Sequence, residues 1–318
     1  MILPNLITTR HPPSRPESAE DIFSSTLGSI FPDDVQNLHG DDPATLLVYK
    51  NARFGDLELR TADVNGEEQR RKFAHYLWNA GILMAELVGG RGGGGVKNDT
   101  EGIIEKGEEQ ENGDGWKEGE WWVSRDEEKL WNVEGETVLE LGAGVGLSGI
   151  TSALAGAKEV VVTDYPAPPI IETIKLNIAN NVLEHARTKI SVHGHQWGDL
   201  STEFAAANAG RYTRIFAADC LWMPHEHENL ASSMLHFLSD SSDARIFCIA
   251  GFHTGRAKMA AFFEETVPKT GLEIEEIFEM DADGKRREWA GERDGGREDV
   301  SERKKWLAVA RLRRRGTA

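Results

Sequence analysis

The 318-residue chain has only two cysteines, Cys220 and Cys248, and it lacks any apolar run near the roughly 20 residues that a membrane-spanning helix needs. Both cysteines lie in or beside apolar, strand-like segments, which favours buried free thiols in a reducing compartment over a disulfide. The N-terminus shows no apolar core behind a basic start, so no secretion signal is indicated. We therefore expect a soluble, cytoplasmic protein with no membrane partner.

Positive charge is also in short supply. The chain carries 36 lysines and arginines against 53 aspartates and glutamates, and its formal net charge is −17. Nucleic-acid binding usually needs a basic face, so the balance argues against a nucleic-acid partner. An acidic protein instead favours a basic substrate, such as a lysine-rich protein segment.

Strand-like and helix-like segments alternate regularly from Glu136 onward. The predicted strands cover 138–141, 159–163, 189–192, 214–218, 245–250, 272–278 and 306–312. The predicted helices cover 147–155, 168–182, 226–238 and 256–267. This alternation predicts an α/β fold with a Rossmann-like, doubly wound sheet of seven strands. Because a charged loop (281–305) and no helix joins the last two strands, the last strand should be antiparallel.

The chain before Glu136 divides into less regular parts. We expect residues 1–70 to be a partly flexible N-terminal extension, with a small hairpin formed by 46–49 and 57–59. Apolar residues recur at helical spacing over 72–88 and predict a helix that packs on the main domain. The segment of about 89–115 is rich in glycine and acidic residues and should be a disordered insertion. The main domain then spans 71–318.

A glycine-rich segment at 142–146 follows the first predicted strand of that domain. Glycines let a ligand approach the backbone closely, and the N-terminus of the following helix offers unpaired N–H groups. A dinucleotide fingerprint would need its third glycine at position 147, which is Leu147. The pattern is instead Glu-x-Gly-x-Gly-x-Gly, with Glu140 two residues before Gly142, and it resembles motif I of S-adenosylmethionine-dependent methyltransferases. Its candidate cofactor-binding residues are Glu140, Gly142, Gly144 and Gly146.

Polar and aromatic residues end the next predicted strands, where ligands bind in open α/β sheets. Asp164 is expected to accept both ribose hydroxyls, with a turn aspartate as the alternative. Trp197 is expected to stack on adenine, with a core tryptophan as the alternative. Asp219 is expected to bind the incoming amine, orient it or take its proton, with a helix-capping aspartate as the alternative. Trp222 should line the channel through which the acceptor amine enters, because aromatic faces attract cationic amines.

Three histidines lie near these residues in the sequence. His253 follows the fifth strand and is a candidate base, with a loop histidine of no catalytic role as the alternative. His225 and His227 are two residues apart, a spacing that does not put them on one helical face, and no third ligand is evident. We therefore expect no metal site.

Several of these segments together resemble methyltransferase family 16, over roughly residues 72–318. Within it the chain is most similar to the fungal nicotinamide N-methyltransferase-like group, which includes N-terminal and lysine methyltransferases of translation elongation factor 1-alpha. The resemblance implies the class I methyltransferase fold and S-adenosylmethionine as cofactor. It also implies that Trp78 lies over the cofactor. The segments that carry it are 76–81, 138–146, 161–166, 177–178 and 196–198.

The sequence is thus interpreted as an S-adenosylmethionine-dependent N-methyltransferase, expected to act as a monomer. Its first candidate acceptor is a protein lysine or N-terminal amine, such as that of a translation factor, and Asp219 and Trp222 are the candidate catalytic residues. A small amine such as nicotinamide is the alternative acceptor. A non-catalytic binding module is disfavoured by the intact glycine turn and Asp164. A dehydrogenase is disfavoured by Leu147 and by the ending on two strands joined without a helix.

Overall fold

The computed structural model describes residues 2–10, 38–40, 43–63, 76–91, 121–183 and 189–316. Most of the predicted insertion at 89–115, and much of the N-terminal extension, lie outside the described residues. None of the helices within the described ranges is long and apolar enough to cross a membrane. Cys220 and Cys248 are both buried and free.

A central eight-stranded sheet forms the core of the fold. Its strands are β6 (Thr137–Leu141), β7 (Glu159–Asp164), β8 (Lys189–Gly194), β9 (Arg214–Ala218), β10 (Arg245–Gly251), β11 (Leu272–Asp281), β12 (Arg286–Glu288) and β13 (Trp306–Arg314). They lie in the order β12-β11-β13-β10-β9-β6-β7-β8. In the spatial order of the sheet, the neighbouring strands from β10 through β9, β6 and β7 to β8 pair in parallel. Strand β13 inserts antiparallel between β10 and β11. The predicted doubly wound sheet and its antiparallel last strand are confirmed.

Helices cover both faces of this sheet because successive strand residues point to opposite sides. Val138 and Val160 pack into one apolar cluster, while Leu139 and Val161 pack into the other. The helices are α1 (Asn79–Gly89), α2 (Arg125–Trp131), α3 (Leu147–Leu154), α4 (Pro168–Asn181), α5 (Glu203–Ala207), α6 (His227–Phe237), α7 (Arg256–Ala261), α8 (Val267–Lys269) and α9 (Val300–Lys304). Four of them, α3, α4, α6 and α7, begin within two residues of the predicted helices.

Two predicted helices need correction. The predicted helix at 256–267 is α7 followed by a π-helical turn, Phe262–Thr266, that leads into α8. The predicted helix at 72–88 begins only at Asn79, because Leu77–Trp78 is a short strand, β5, paired with β2 (Leu38–His39). Residues 72–75 lie outside the described part of the chain.

A three-stranded sheet is formed by the N-terminal residues. Its strands are β1 (Ile7–Arg10), β3 (Leu46–Asn51) and β4 (Gly55–Leu59), in the order β1-β3-β4. The predicted hairpin is therefore confirmed as β3 and β4, which pair antiparallel. The edge of β4 packs on α4, so the described part of the extension is attached to the main domain. The division at residue 70 stays a prediction.

The segment 281–305 is more ordered than the charged loop that was expected. It contains β12 and α9, and an ion pair between its Glu298 and Arg256 fixes it to α7. The carboxylate of Glu279 is fully buried and receives Nη1 of Arg256 at 2.6 Å. Arg256 also pairs with Glu298 at 2.7 Å, and its guanidinium lies 4.0 Å from the centre of the Phe252 ring. Paired charges of this kind are stable inside a protein only when their hydrogen bonds are satisfied.

Candidate active site

A cavity opens at the carboxyl ends of β6, β7 and β9, the edge at which open α/β sheets bind ligands. It collects side chains from segments that are far apart in the sequence. All the predicted site residues except Gly146 line it: Trp78, Glu140, Gly142, Gly144, Asp164, Trp197, Asp219 and Trp222. The candidates predicted at the ends of the strands therefore lie around the same cavity.

The glycine turn between β6 and α3 is held by a set of short backbone contacts. The amide of Ala143 donates to the carbonyl of Thr163 at 3.0 Å, and that of Gly146 donates to Ala143 at 2.8 Å. Gly142 and Gly144 have φ values of +65° and +58°, which L-residues rarely adopt. The turn therefore depends on glycine for its shape as well as for access.

Gly146 lies outside the cavity lining. It is the N-cap of α3 with φ +79°, and a Cβ there would lie 3.1 Å from Cγ2 of Ile174 on α4. Gly146 therefore lets α4 pack against the turn. The role of Gly146 in cofactor binding stays a prediction, since the residue does not line the cavity.

Glu140 lines the cavity, but its carboxylate already has partners from the first turn of α3. Its Oε2 accepts the amide of Gly149 at 2.9 Å, and Ser148 is a further donor. Burial raises the pKa of Glu140 to about 7, although the hydrogen bonds from Ser148 and Gly149 oppose that shift. A buried carboxylate at a helix N-terminus is in a favourable electrostatic position.

Asp164, at the end of β7, connects that strand to the glycine turn. Its Oδ2 accepts the amide of Gly144 at 2.7 Å, and its Oδ1 accepts the amide of Tyr165 at 2.6 Å. Each carboxylate oxygen offers more than one lone pair, so these bonds leave capacity for a ligand hydroxyl. The residue is 3% exposed and lines the cavity.

Trp197 and Gly142 fit closely together. A Cβ at Gly142 would lie 2.9 Å from Cζ2 of Trp197 and 2.7 Å from Sγ of Cys220. The indole therefore lies directly against the turn, on the wall of the cavity. Burial raises the pKa of the Cys220 thiol well above its usual range, so this cysteine stays protonated and is a packing residue.

Asp219 adopts φ +57°, an unusual conformation for a residue other than glycine. Its amide donates to Ile249 at 2.7 Å, its Oδ1 accepts the amide of Gly251 at 3.0 Å, and its Oδ2 lies 2.8 Å from Nε2 of His253. The His253 ring packs on Trp78, with centroids 4.5 Å apart. Burial lowers the pKa of His253, but the charge of Asp219 and its hydrogen bond to the ring together outweigh burial, and the net shift is upward.

The loop after Asp219 is fixed by a buried histidine. Nε2 of His227 lies 2.9 Å from the carbonyl of Leu221, and the ring packs edge-on against Phe262. This contact places Trp222 at the cavity wall. His227 thus has a structural partner, and the described residues contain no group of three or more acidic, histidine or cysteine side chains arranged to hold a metal ion.

Sequence reasoning missed several residues of the site. His253 is a candidate base in the sequence without an assigned role, and its hydrogen bond to Asp219 joins two residues that are 34 positions apart. Tyr76 also lines the cavity, and its ring lies 6.1 Å from that of Trp78. The location of His253 at the end of β10, beside β9, was the one signal that could have paired it with Asp219.

A family model described as lysine methyltransferase matches residues 61–267, more than half of the chain. The chain belongs to this lysine methyltransferase family. The match includes every residue that lines the cavity, and the strand order with an antiparallel last strand is that of a class I methyltransferase.

Known relatives are each about 30% identical to this chain over the matched residues. The protein N-terminal and lysine N-methyltransferase efm7 of Schizosaccharomyces pombe is 31% identical over 216 residues, which cover 65% of this chain and 68% of the relative. The protein of the same name from Gibberella zeae is 30% identical over 196 residues, covering 58% and 72%. Protein N-lysine methyltransferase METTL21A of Xenopus tropicalis is 32% identical over 111 residues, covering 35% and 48%.

The chain is therefore an S-adenosylmethionine-dependent methyltransferase. The cavity fits that cofactor chemically. The backbone at Gly142 has no room for a Cβ, so a ligand meets bare backbone there. A buried carboxylate, Asp164, suits the hydroxyls of a ribose, and the indole of Trp197 offers a flat apolar surface for a base.

Proposed function

We propose that this chain methylates an amine of a protein, either a lysine side chain or an N-terminal amine. The observation that carries the proposal is the location of Asp219 and Trp222 in the same cavity as the glycine turn. A proton acceptor and an aromatic wall thus stand beside the place where the cofactor would bind. The relatives are named as protein N-terminal and lysine N-methyltransferases, which supports the same class of acceptor.

We assign the cofactor contacts residue by residue. Asp164 would accept the ribose hydroxyls, and Trp197 would lie against adenine. Gly142 and Gly144 would meet the methionine part, with Glu140 behind them attracting its amino group. Trp78 would lie over the cofactor. Gly146 would contribute by shaping the turn.

The bound cofactor supplies a methyl group on a positively charged sulfur, a good leaving group. The chain's own residues must therefore deliver a neutral, well-aligned amine. Asp219 would take the proton of the incoming ammonium, directly or through a water molecule. Trp222 would wall the entry channel and attract the cationic amine by its ring face. Most of the acceleration would come from positioning and from removing water around the amine.

The conformation of Asp219 supports this role. A left-handed backbone costs an L-residue about 1–2 kcal/mol. It is retained here because three contacts, to Ile249, Gly251 and His253, fix the residue. Unusual backbone geometry of this kind is common where a side chain must be aimed at a ligand.

The acceptor protein we favour is a translation elongation factor, with the chain acting as a cytoplasmic monomer. This finer proposal is supported by the resemblance of segments 76–81 and 161–166 to the elongation factor methyltransferases. It is consistent with the net charge of −17, which suits a basic target segment.

The test is transfer of labelled methyl from S-adenosylmethionine into cell extract, followed by separation into protein and small-molecule fractions. We expect label in a discrete protein band, in which mass spectrometry locates a methylated lysine or N-terminus. Label confined to the small-molecule fraction would overturn the protein acceptor and favour a nicotinamide-type amine. Purified elongation factor 1-alpha added to the reaction tests the finer proposal.

A matched pair of variants tests the role of Asp219. Asp219→Asn keeps the shape of the side chain but removes its basicity, and the rate of transfer should fall about 100-fold or more. Asp199→Asn is the control, because Asp199 bonds to Ser201 and does not line the cavity. Equal rates in the two variants would exclude Asp219 as the proton acceptor.

A further inference from the structure

Two asparagines on α4 bind the edge of the N-terminal sheet in place of a further strand. Oδ1 of Asn181 accepts the amide of Glu58 at 2.9 Å, and its Nδ2 donates to the Glu58 carbonyl at 2.7 Å. Asn177 does the same for Arg60, at 2.8 and 2.9 Å. The arrangement is possible because residues four apart on a helix and two apart on a strand are spaced alike.

Asn177, unlike Asn181, also contacts the glycine turn, whereas the third hydrogen bond of Asn181 goes to the carbonyl of Asn177 within the same helix. Nδ2 of Asn177 donates to the carbonyl of Val145 at 3.0 Å. Val145 belongs to the glycine turn and lines the cavity. Asn177 is fully buried, so its amide has no water to replace these partners. One side-chain amide therefore joins the N-terminal sheet to the turn.

The Val145 contact completes the support of the turn. On the side of the central sheet, Thr163 and Asp164 hold the amides of Ala143 and Gly144. The carbonyl of Val145 faces the other way, toward α4, and Asn177 holds it there. Loss of this bond would leave a buried carbonyl unpaired, and the turn would relax to find another donor.

We infer that Asn177 is a positioning residue through which the β1–β3–β4 sheet holds the glycine turn in its cofactor-binding shape. The inference rests on the cofactor site proposed above. It gives the N-terminal residues a part in cofactor binding, although none of their described residues lines the cavity.

The first test compares Asn177→Asp with Asn181→Asp, which makes the same chemical change one helical turn away. Affinity for S-adenosylhomocysteine is measured by calorimetry, and hydrogen exchange of peptides covering 142–147 is measured in cofactor-free protein. Asn177→Asp should weaken binding about tenfold, the effect of one lost buried hydrogen bond, and should speed exchange in the turn. Asn181→Asp should change neither, even if it lowers the melting temperature.

A second pair of variants covers the case in which Asn177→Asp does not fold. Arg60→Pro removes the backbone N–H that donates to Oδ1 of Asn177, and Glu58→Pro removes the backbone N–H that donates to Oδ1 of Asn181. Proline is tolerated on an edge strand at outward-facing amides. Faster exchange over 142–147 in Arg60→Pro alone supports the link between sheet and turn.

Two results separate this inference from the function it rests on. Unchanged exchange at 142–147 in both Asn177→Asp and Arg60→Pro overturns the inference, whatever happens to the melting temperature. Failure of the wild-type protein to bind S-adenosylhomocysteine overturns the cofactor site instead. The exchange measurement still decides the inference in that case, because it needs no cofactor.

Discussion

Oδ2 of Asp219 and Nε2 of His253 lie 2.8 Å apart, in a contact that joins the ends of two neighbouring parallel strands, β9 and β10. The histidine ring is at the same time packed on Trp78. His253 therefore connects the proposed proton acceptor to an aromatic wall of the cavity. The side chain of His253 is 20% exposed, so the pair is partly shielded from solvent.

The first prediction concerns the pH dependence of this pair. Because the folded-state pKa of His253 is raised, its stabilising effect is fully present below the ordinary histidine value of about 6.5 and is lost as pH rises through the raised value. Replacing it in His253→Gln should cost about 1.5–3 kcal/mol at low pH, the usual contribution of a charged hydrogen bond. The cost should shrink at pH 9.

Denaturant unfolding of the wild type and His253→Gln at several pH values measures this cost. His225→Gln is the control, because the His225 side chain is 75% exposed and its nearest carboxylate is 3.9 Å away. A difference between wild type and His253→Gln that is the same at every pH would show that the ion pair does not form.

The second prediction concerns Glu140, whose pKa is raised to about 7 by burial. Between its ordinary value of 4.5 and about 7, the unfolded chain releases a proton that the folded protein keeps. Stability of the wild type should therefore fall across this interval, by about 3 kcal/mol from the size of the shift. Glu140→Gln should not show this fall.

The measurement is the free energy of unfolding of cofactor-free protein between pH 5 and pH 8. Glutamine keeps an acceptor for the amide of Gly149, so the helix contact survives the change. Parallel curves for the two proteins would mean that Glu140 ionises normally.

The third prediction separates crowding from backbone strain in the glycine turn. Gly142→Ala should lose at least about 2 kcal/mol of stability, since it combines left-handed strain with a Cβ placed against Cys220 and Trp197. It should also weaken cofactor binding. Gly135→Ala is the control, because Gly135 has φ +77° but nothing within 4 Å of its added Cβ.

Unfolding experiments and calorimetry with S-adenosylhomocysteine distinguish the two variants. Gly135→Ala should lose about 1 kcal/mol and keep its affinity. If Gly142→Ala binds as tightly as Gly135→Ala, the cofactor does not approach the backbone at the turn.

Much of this architecture was predictable because it follows from local patterns. Alternating strands and helices indicate a parallel sheet, and the glycines at 142–146 mark its ligand-binding edge. Those signals lie within short stretches of sequence. They were enough to predict Asp164, Trp197 and Asp219 as site residues at the ends of strands, and all three line the cavity.

The remaining features depend on contacts between distant segments. The sequence does not reveal that Glu140, which lines the cavity, also accepts the amide of Gly149 on α3. The segment 281–305 was predicted as a charged loop, yet the ion pair of its Glu298 with Arg256 anchors it. The double contact of Asn177 is equally hidden, because its partners lie 32 and 117 residues away.

The most direct test of the cofactor site is calorimetric titration of the purified protein with S-adenosylhomocysteine, for the wild type and for Asp164→Ala. The wild type should bind one molecule per chain, and Asp164→Ala should lose about 1.5–3 kcal/mol of binding free energy with its charged hydrogen bonds to the ribose. Absence of binding by the wild type, or equal affinity of the two proteins, would contradict the site described here.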